Sequence, residues 1–219
     1  AYGQCGDCVV VSLHWTSGHS VEDVVKFKSM KIHLQTPEEI RPQIWKELAR
    51  ASLDLHHEWR TPVLACVDAN GLPDARTVVL RQVDAVAGQL TFYTDSRSPK
   101  VAQLQTQASA MLVFWSARLS WQLRVRVACS VITSGLEVEA LWQKVQQSAA
   151  AGDYLSPLPP GAVLPLGGAA DAETVNAPAP AHSFAMLRAQ VLQMDWLELS
   201  RDGHRRARLS ASTWKWLTP

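Results

Sequence analysis

Short apolar runs separated by tight-turn signals constrain the fold of this chain more than any other feature. Val63–Ala69 and Asp74–Val83 flank Asn70-Gly71, a dipeptide that favours a two-residue hairpin turn. Gln89–Thr94 follows the next turn, and Asp202-Gly203 marks another hairpin near the end of the chain. Short turns join antiparallel neighbours, whereas parallel strands need long crossovers. The sequence therefore predicts a mainly antiparallel β structure.

Helices are predicted between and around these strands. Thr36-Pro37-Glu38-Glu39 is a capping box with proline at the first helical position, and apolar residues at helical spacing follow over residues 37–57. Ser98-Pro99-Lys100 starts a short second helix, and Leu136–Ser148 has the spacing of a third. The remaining predicted strands are Ala110–Trp115, Trp121–Thr133, Phe184–Leu199 and His204–Ala211.

The strand count is six or seven, and Phe184–Leu199 is either one strand or two strands broken near Gln193. Hairpin turns dominate, and the sequence has no long series of alternating strands and helices. We therefore expect an α+β fold that is mainly β. Its centre is a small antiparallel barrel, and two or three helices lie at the margins.

Composition excludes several classes of partner. The chain has 219 residues and a net charge of +1, which does not indicate a nucleic acid or an acidic membrane surface. No apolar run approaches the length of a membrane span. The four cysteines do not form the pattern of a secreted disulfide framework, so we expect a cytoplasmic protein.

Residues 1–29 differ from the rest of the chain. Cys5-Gly6-Asp7-Cys8 is a C-x-x-C pair, but no second pair at ligand spacing accompanies it, and we predict no metal site. Met30 begins a stretch typical of a natural start, so we interpret residues 1–29 as an N-terminal extension without function. Residues 30–219 then form one domain, in which the Pro-, Gly- and Ala-rich segment 156–181 is a flexible loop.

The stretch from Asp74 to Lys100 concentrates cations and hydroxyl groups at predicted strand ends. These residues are Arg76, Thr77, Arg81, Thr91, Tyr93, Thr94, Ser96, Arg97, Ser98 and Lys100. Cations and hydroxyls that converge where a strand ends and a helix begins are what a phosphate site needs. In the alternative interpretation, the arginines are solvated on an edge strand and a serine only caps the helix.

Arg76 and Arg81 lie five residues apart, so a regular strand would point them to opposite faces. Either the strand carries a bulge or the two arginines serve different ligands.

A second polar set lies on the predicted fifth strand. Gln122, Arg124 and Arg126 share one face, opposite the apolar residues that alternate with them. An amide and guanidinium groups on a strand face can hydrogen-bond the edge of a heteroaromatic ring. Trp196 and the arginines around Arg206 are candidates for a stacking surface and a further cation. The alternatives are a polar outer face for the strand and the arginines, and core packing for Trp196.

Motifs for nucleophilic, zinc-dependent or nucleotide-phosphate chemistry are absent from the sequence. It has no G-x-S-x-G, H-E-x-x-H, P-loop or G-x-G-x-x-G pattern. If the protein is an enzyme, its chemistry therefore belongs to a bound cofactor.

Several segments, in order, resemble the pyridoxamine 5′-phosphate oxidase-like family of FMN-binding split barrels. They are RTVVLR, LTFYTDSRSPKVAQL, SAMLVFWSARLSWQLRVRV and the C-terminal DWLEL…HRR…W…L-P. The resemblance covers roughly Trp45 to Pro219. It implies FMN as the cofactor, a homodimer with FMN at the interface, and contacts that act across to the partner chain.

By position, the resemblance implies a set of FMN-binding residues. Arg76 lies near the phosphate, Arg81 stands where the oxidases usually have a lysine for the substrate phosphate, and Lys100 contacts the FMN phosphate. Gln122 meets the flavin ring, and Trp196 and Arg206 complete the site. The other implied FMN contacts are Thr77, Val78, Val79, Tyr93, Thr94, Arg97 and Ser98.

The resemblance implies an oxidoreductase that transfers a hydride through flavin N5 and takes a small substrate, which Arg81 and Arg206 allow to be anionic. No catalytic residue is assigned. The substrate motif of the oxidases is missing, because the segment after the fifth strand is LWQKVQQSAAAGDYLSPLPPG. The chain thus resembles a shorter subgroup, for which pyridoxamine 5′-phosphate oxidation is not expected. A carrier or sensor that binds flavin without turnover is the alternative.

Overall fold

The computed structural model describes residues 36–164, 182–210 and 213–219. The chain divides into a unit of residues 1–33 and a unit of residues 34–219, and all described residues belong to the second unit. The N-terminal extension predicted at 1–29 lies outside the described residues, as do residues 165–181 of the predicted loop. The described part of that loop, residues 156–164, contains no helix or strand.

Three α-helices and nine strands make up the described residues. The helices are α1 (Pro37–Leu53), α2 (Pro99–Thr106) and α3 (Leu136–Val145). The strands are β1 (Val63–Val67), β2 (Pro73–Thr77), β3 (Leu80–Asp84), β4 (Gln89–Asp95), β5 (Ser109–Ser116), β6 (Trp121–Ile132), β7 (Phe184–Glu198), β8 (Arg205–Ser210) and β9 (Trp214–Leu217). Short 3-10 helices lie at Glu58–Arg60 and Ala149–Tyr154.

All strands pair antiparallel in one sheet of order β2-β1-β5-β6-β7-β4-β3, with β8 paired to β7 and β9 to β8. The two ends of this path, β2 and β3, are separated in the chain by only Val78 and Val79. A sheet whose opposite edges are joined by two residues must curl until those edges lie side by side. Because β2 and β3 do not pair, the result is a barrel that stays split along one seam.

The predicted strand Asp74–Val83 is the main correction to the sequence-based topology. The segment is extended, but it changes partners at its centre: β2 pairs with β1, and β3 pairs with β4. This division and the terminal strand β9 raise the count from the predicted six or seven strands to nine. A register shift between Leu80 and Gln82 marks a bulge at Arg81. Arg76 and Arg81 therefore lie on different strands at opposite edges of the sheet.

Phe184–Glu198 forms one strand, not two. Its register against β6 shifts between Arg126 and Val127, which leaves Leu192 unpaired in β7. A bulge at this point bends the strand, so that its first half pairs with β4 and its second half pairs with β8.

Helix α1 ends at Leu53, earlier than the predicted residue 57, because the chain leaves helical geometry at Asp54. Its start is as predicted: the carboxylate of Glu39 accepts a hydrogen bond from the Thr36 backbone N–H at 3.2 Å. Ile40, Ile44 and Leu48 on its buried face pack into the barrel core. Trp59, Phe92, Phe114 and Trp196 are the largest fully buried side chains of that core.

A second, smaller core lies between α3, the 3-10 helix Ala149–Tyr154 and the outer side of β4 and β7. Its centre is Phe184, which contacts Trp142, Tyr154 and Tyr93. In the described part of the chain, no helix is long and apolar enough to cross a membrane.

Candidate functional site

Arg76 lies at the end of the barrel that α2 covers. Its Nη1 donates to Cys66 Sγ at 2.7 Å, and its Nη2 donates to Gln103 Oε1 at 3.1 Å and to the Asp74 carboxylate. Gln103 also donates from its amide to Asp74 Oδ2 at 2.7 Å. The hydrogen bond from Gln103, joined by the charge of Arg76, lowers the pKa of Asp74. Side chains from β1, β2 and α2 thus hold the guanidinium in one place.

Lys100 lies beside this group on the first turn of α2. Its Nζ donates to Thr94 Oγ1 at 3.0 Å and to Ser98 Oγ at 3.1 Å. Among the described residues it forms no ion pair with a carboxylate. Burial, together with the nearby charge of Arg76, lowers the pKa of Lys100. A half-buried ammonium next to a second cation is a place where an anion would be stabilised.

Local sequence explains how Lys100 reaches this position. Ser98 precedes the helix in extended conformation, Pro99 fixes the first helical residue, and Val101 and Leu104 are buried against the barrel. This orientation brings Lys100 and Gln103 onto the side of α2 that faces β2 and the end of β4. The hydroxyls of Thr94 and Ser98, 3.2 Å apart and both buried, complete what we call the α2 cluster: Arg76, Thr94, Ser98 and Lys100.

Arg97 has a different environment from the α2 cluster. Its guanidinium pairs with Asp95 and donates to Ser183 Oγ and to the backbone carbonyl groups of Ser156 and Pro157. The hydrogen bond to Asp95 raises the pKa of Arg97. Arg97 therefore fastens residues 156–157 to the end of β4, and its predicted contact with FMN would require these bonds to break.

Arg81 and Tyr93 form a separate contact on the outer side of β3 and β4. The Arg81 guanidinium carbon lies 5.3 Å from the centre of the Tyr93 ring. Arg81 Nε is buried and has no hydrogen-bond partner among the described residues. Val78 and Val79 form the connection across the seam of the barrel and follow Thr77, the last residue of β2. Val78 is buried and Thr77 is exposed.

Gln122 and Arg206 lie on the outer face of the sheet, in one row across three strands. Gln122 of β6 pairs with Leu197 of β7, which pairs with Arg206 of β8. In the neighbouring row, Arg124 Nη2 donates to Asp195 Oδ2 at 3.0 Å. The predicted alternation of β6 is confirmed, since Trp121, Leu123, Val125 and Val127 are buried on the inner face. We call Gln122, Arg124 and Arg206 the outer-face cluster.

Trp196 is not part of either cluster. It is fully buried in the barrel core, where its ring lies 5.3 Å from that of Trp121. It points inward because it pairs with Leu123 and Ala207, two residues of the inner face. A contact between this indole and a flavin would need the core to open, so we leave Trp196 out of the proposed site.

Within one chain, the two clusters cannot contact the same small ligand. Arg76 pairs with Leu64, which pairs with Leu112, which in turn pairs with Val125 on the inner face of β6. Gln122 points to the outer face, three strands away from β2. Three strand spacings amount to roughly 14 Å, and the sheet itself stands between the two faces.

Four residues that hold these clusters in place were not predicted: Cys66, Asp74, Gln103 and Asp195. For two of them, the sequence contains a spacing that could have indicated the contact. Asp74 is two residues from Arg76 on a strand and therefore shares its face, and Gln103 is one helical turn from Lys100. Cys66 and Asp195 become visible only through strand pairing. A cleft of about 400 Å³ between α1, residues 85–88 and the β7 bulge contains none of the predicted site residues.

Comparisons with known proteins give matches in both sequence and fold. Residues 42–133 match the family model described as the FMN-binding domain of pyridoxamine 5′-phosphate oxidase. A pyridoxine/pyridoxamine 5′-phosphate oxidase from Maricaulis maris is 38% identical over 93 residues, which are 42% of this chain and 40% of that protein. The corresponding enzyme from Chromohalobacter salexigens is 44% identical over 62 residues, 28% of each chain. The matches thus span less than half the length of these curated relatives.

Two solved structures have a similar fold. A pyridoxamine 5′-phosphate oxidase-related, FMN-binding protein from Nostoc punctiforme superimposes with a TM-score of 0.62 at 24% identity, covering 85% of this chain and all of that one. PhzG from Burkholderia lata, solved with tetrahydrophenazine-1-carboxylic acid, gives a TM-score of 0.63 at 20% identity, covering 86% of this chain and all of that one.

The described chain therefore has the split-barrel fold: a mostly antiparallel sheet with flanking helices. Over residues 42–133 it is similar to the FMN-binding domain of the pyridoxamine 5′-phosphate oxidase family.

Proposed function

We propose that the protein is an FMN-dependent oxidoreductase. The observation that carries the proposal is the α2 cluster, in which Lys100 lies half-buried beside Arg76 with no carboxylate partner among the described residues. Two cations and two hydroxyl donors at a helix start suit a phosphate monoester, because its dianion supplies the missing negative charge. The family match over residues 42–133 selects FMN among phosphate-bearing ligands.

The roles of the residues follow from their chemistry. Arg76 and Lys100 would bind the phosphate as cations. Thr94 and Ser98 would donate hydrogen bonds to it once their hydroxyls turn from the Asp95 backbone carbonyl, to which they donate at 3.3 and 2.8 Å. Gln122 would hydrogen-bond the edge of the flavin ring, and Arg206 would place positive charge beside it. Bound FMN would supply hydride transfer at N5, while the protein supplies orientation and electrostatics. No described side chain is assigned as a strong acid or base.

We further propose that the active species is a homodimer. The α2 cluster and the outer-face cluster lie on opposite faces of one sheet, so a single FMN could contact both only if each chain supplies one cluster. Exposed apolar side chains on the outer face support this proposal: Trp115, in the row of Gln122, is 47% exposed, and Val63 is 40% exposed. A second copy of the chain would bury them.

The proposed enzyme takes a small anionic molecule as its substrate. It is located in the cytoplasm, as the cysteine pattern predicts. Arg81 supports an anion, because its buried Nε has no hydrogen-bond partner among the described residues. Burial, and then the charge of Arg81, lowers the pKa of Arg60, so a second cation lies close to Arg81.

A direct test compares FMN with riboflavin, which lacks the phosphate. We expect the purified protein to bind FMN, seen as quenching of flavin fluorescence and a perturbed visible spectrum. Lys100→Ala should weaken FMN binding by roughly tenfold or more, the usual size of a lost charge-assisted hydrogen bond, and should leave riboflavin binding nearly unchanged. The matched control Lys144→Ala removes an exposed lysine of α3 and should change neither affinity.

The outcomes separate the proposals clearly. If the wild-type protein does not bind FMN at micromolar concentration, the proposed function is wrong. If Lys100→Ala lowers both affinities equally, Lys100 does not contact the phosphate.

Flavin binding without turnover is the second candidate function. The segment after β6 favours it, because the substrate motif of the oxidases is missing there. Anaerobic reduction of the bound flavin by candidate donors, followed by peroxide release on admission of air, would support the oxidoreductase. A flavin that no donor reduces would support a carrier or sensor. Steady peroxide formation with pyridoxamine 5′-phosphate would contradict our expectation about that substrate.

A further inference from the structure

One carboxylate holds together the arginines of the outer face. Asp195 of β7 is 7% exposed. It accepts from Arg206 Nε at 2.9 Å and from Arg206 Nη2 at 3.0 Å, a two-point contact that fixes the plane of the guanidinium. Arg124 Nη2 donates to the same carboxylate at 3.0 Å, and Arg208 Nη2 lies at 3.5 Å.

The charges in this group do not balance. Three guanidinium groups share one carboxylate, which leaves a surplus of positive charge on the outer face next to Gln122. Burial raises the pKa of Asp195, but the hydrogen bonds and charges of Arg206 and Arg124 lower it by more, so the carboxyl is ionised at neutral pH. The hydrogen bond to Asp195 also raises the pKa of Arg206.

Strand register explains why Asp195 controls where Arg206 points. Arg206 stands opposite Leu197, but its guanidinium reaches diagonally to Asp195, toward the row of Arg124. Arg206 is only partly buried, so without the carboxylate its long side chain would be free to turn into solvent. Repulsion from Arg124 and Arg208 would favour that movement.

We propose that Asp195 is a positioning residue of the flavin-ring half of the site: it fixes the Arg206 guanidinium on the outer face, toward the row of Arg124, and offsets part of the positive charge there. The proposal rests on the proposed function, because it assumes that the outer-face cluster meets the flavin ring. The proposed role of Asp195 concerns the ring rather than the phosphate. A variant of Asp195 should therefore change the affinities for FMN and riboflavin alike, whereas Lys100→Ala should change the affinity for FMN alone.

Asp195→Asn tests the proposal, with riboflavin and FMN as the two probes. Both affinities should fall by a similar factor, roughly tenfold, because the lost orientation acts on the ring that the two molecules share. Positive charge stabilises the anion formed when the ring loses its N3 proton. Asp195→Asn removes a fixed negative charge, whereas Arg206, although mobile, stays attached to β8 near the ring. The bound flavin of Asp195→Asn should therefore ionise at lower pH than that of the wild type, as followed by its absorbance. Asp195→Glu keeps the charge and should restore both properties in part.

Glu198→Gln is the matched control. Glu198 accepts from Arg205 Nε at 2.9 Å across the same two strands, but it shares the inner face with Trp196 and bonds Trp121 Nε1 at 3.1 Å. Glu198→Gln should lower the thermal midpoint of the apoprotein while the flavin affinity and the ring titration stay at the wild-type values.

The result that overturns the inference is an Asp195→Asn protein that behaves like the control, with reduced thermal stability but unchanged flavin affinities and titration. In that case Asp195 only joins strands. If Asp195→Asn does not fold, Arg206→Lys keeps the charge and removes the two-point contact. Unchanged riboflavin affinity in Arg206→Lys would likewise overturn the inference. Absence of flavin binding by the wild type would overturn the proposed function and this inference together.

Discussion

At the scale of single residues, Arg76 and Lys100 differ in how the fold balances their charge. Arg76 forms an ion pair with Asp74, whereas Lys100 hydrogen-bonds the hydroxyls of Thr94 and Ser98 and, among the described residues, forms no ion pair. Both cations were predicted from the sequence as phosphate ligands. The sequence did not reveal this difference, because it depends on which side chains of β2, β4 and α2 meet at one end of the barrel.

The lowered pKa of Lys100 predicts a pH dependence of phosphate recognition. Burial and the charge of Arg76 move the pKa below its usual 10.5, so Lys100 loses its proton at a lower pH than an exposed lysine. The phosphate of FMN is already a dianion above pH of about 7. The ratio of riboflavin to FMN dissociation constants should therefore decrease as pH rises from neutral toward 10.5, and fluorescence titrations at several pH values would measure it.

Lys100→Arg provides the control for this pH dependence. Arginine stays charged over the whole range, so the ratio of the two dissociation constants should become independent of pH. Ionisation of the flavin ring cancels in the ratio, because FMN and riboflavin share the ring. A wild-type ratio that does not change with pH would contradict the assignment of Lys100 to the phosphate.

At the scale of elements, a buried carboxylate joins α1 to the turn between β5 and β6. Glu47 is 2% exposed and accepts from His57 Nε2 at 2.9 Å and from Arg118 Nη2 at 2.7 Å. Burial raises the pKa of Glu47, but these partners lower it by more, so its pKa lies below 4.5. Glu58 accepts from the backbone N–H groups of Ala117 and Arg118 in the same turn. Side chains of α1 and of the 3-10 helix Glu58–Arg60 thus hold the turn that precedes Gln122.

Glu47→Ala should destabilise the protein by roughly 3 kcal/mol, because it leaves the buried His57 without its partner and removes the contact with Arg118. Urea unfolding of the apoprotein would measure the change. Glu139→Ala, at an exposed position of α3, should change the free energy of unfolding by less than about 0.5 kcal/mol. Equal stabilities of the two variants would show that the Glu47 network does not hold α1 to the turn.

At the scale of the whole molecule, the positions of the two clusters predict complementation between variants. Lys100→Ala damages only the α2 cluster, and Arg206→Ala damages only the outer-face cluster. If each FMN site takes one cluster from each chain, a mixed dimer has one intact site and one doubly damaged site. Random mixing of the two variants should therefore restore tight FMN binding to about one quarter of the sites.

The measurement is FMN titration before and after the two variants are unfolded and refolded together. Each variant refolded alone is the control and should bind weakly. No restoration in the mixture, while dimers are present by light scattering, would mean that one chain supplies all the contacts.

The sequence by itself determined the local parts of this protein. Hairpin dipeptides and residue alternation predicted the antiparallel strands and the two faces of β6, because turn geometry and side-chain period are local properties. The start of α2 was also predicted from the sequence, because Ser98 and Pro99 favour a helix start through the conformation of the adjacent backbone. These signals led to Lys100 and Gln122 as candidate site residues.

Only the tertiary structure decided how those parts combine. In the folded chain, the two halves of Asp74–Val83 lie at opposite edges of the sheet. Trp196 is buried in the core, and Arg97 forms an ion pair with Asp95. The tertiary structure also set the α2 cluster and the outer-face cluster on opposite faces. Each of these outcomes depends on which distant strand a segment pairs with, and pairing is fixed by burial of the whole sheet rather than by the segment's own residues.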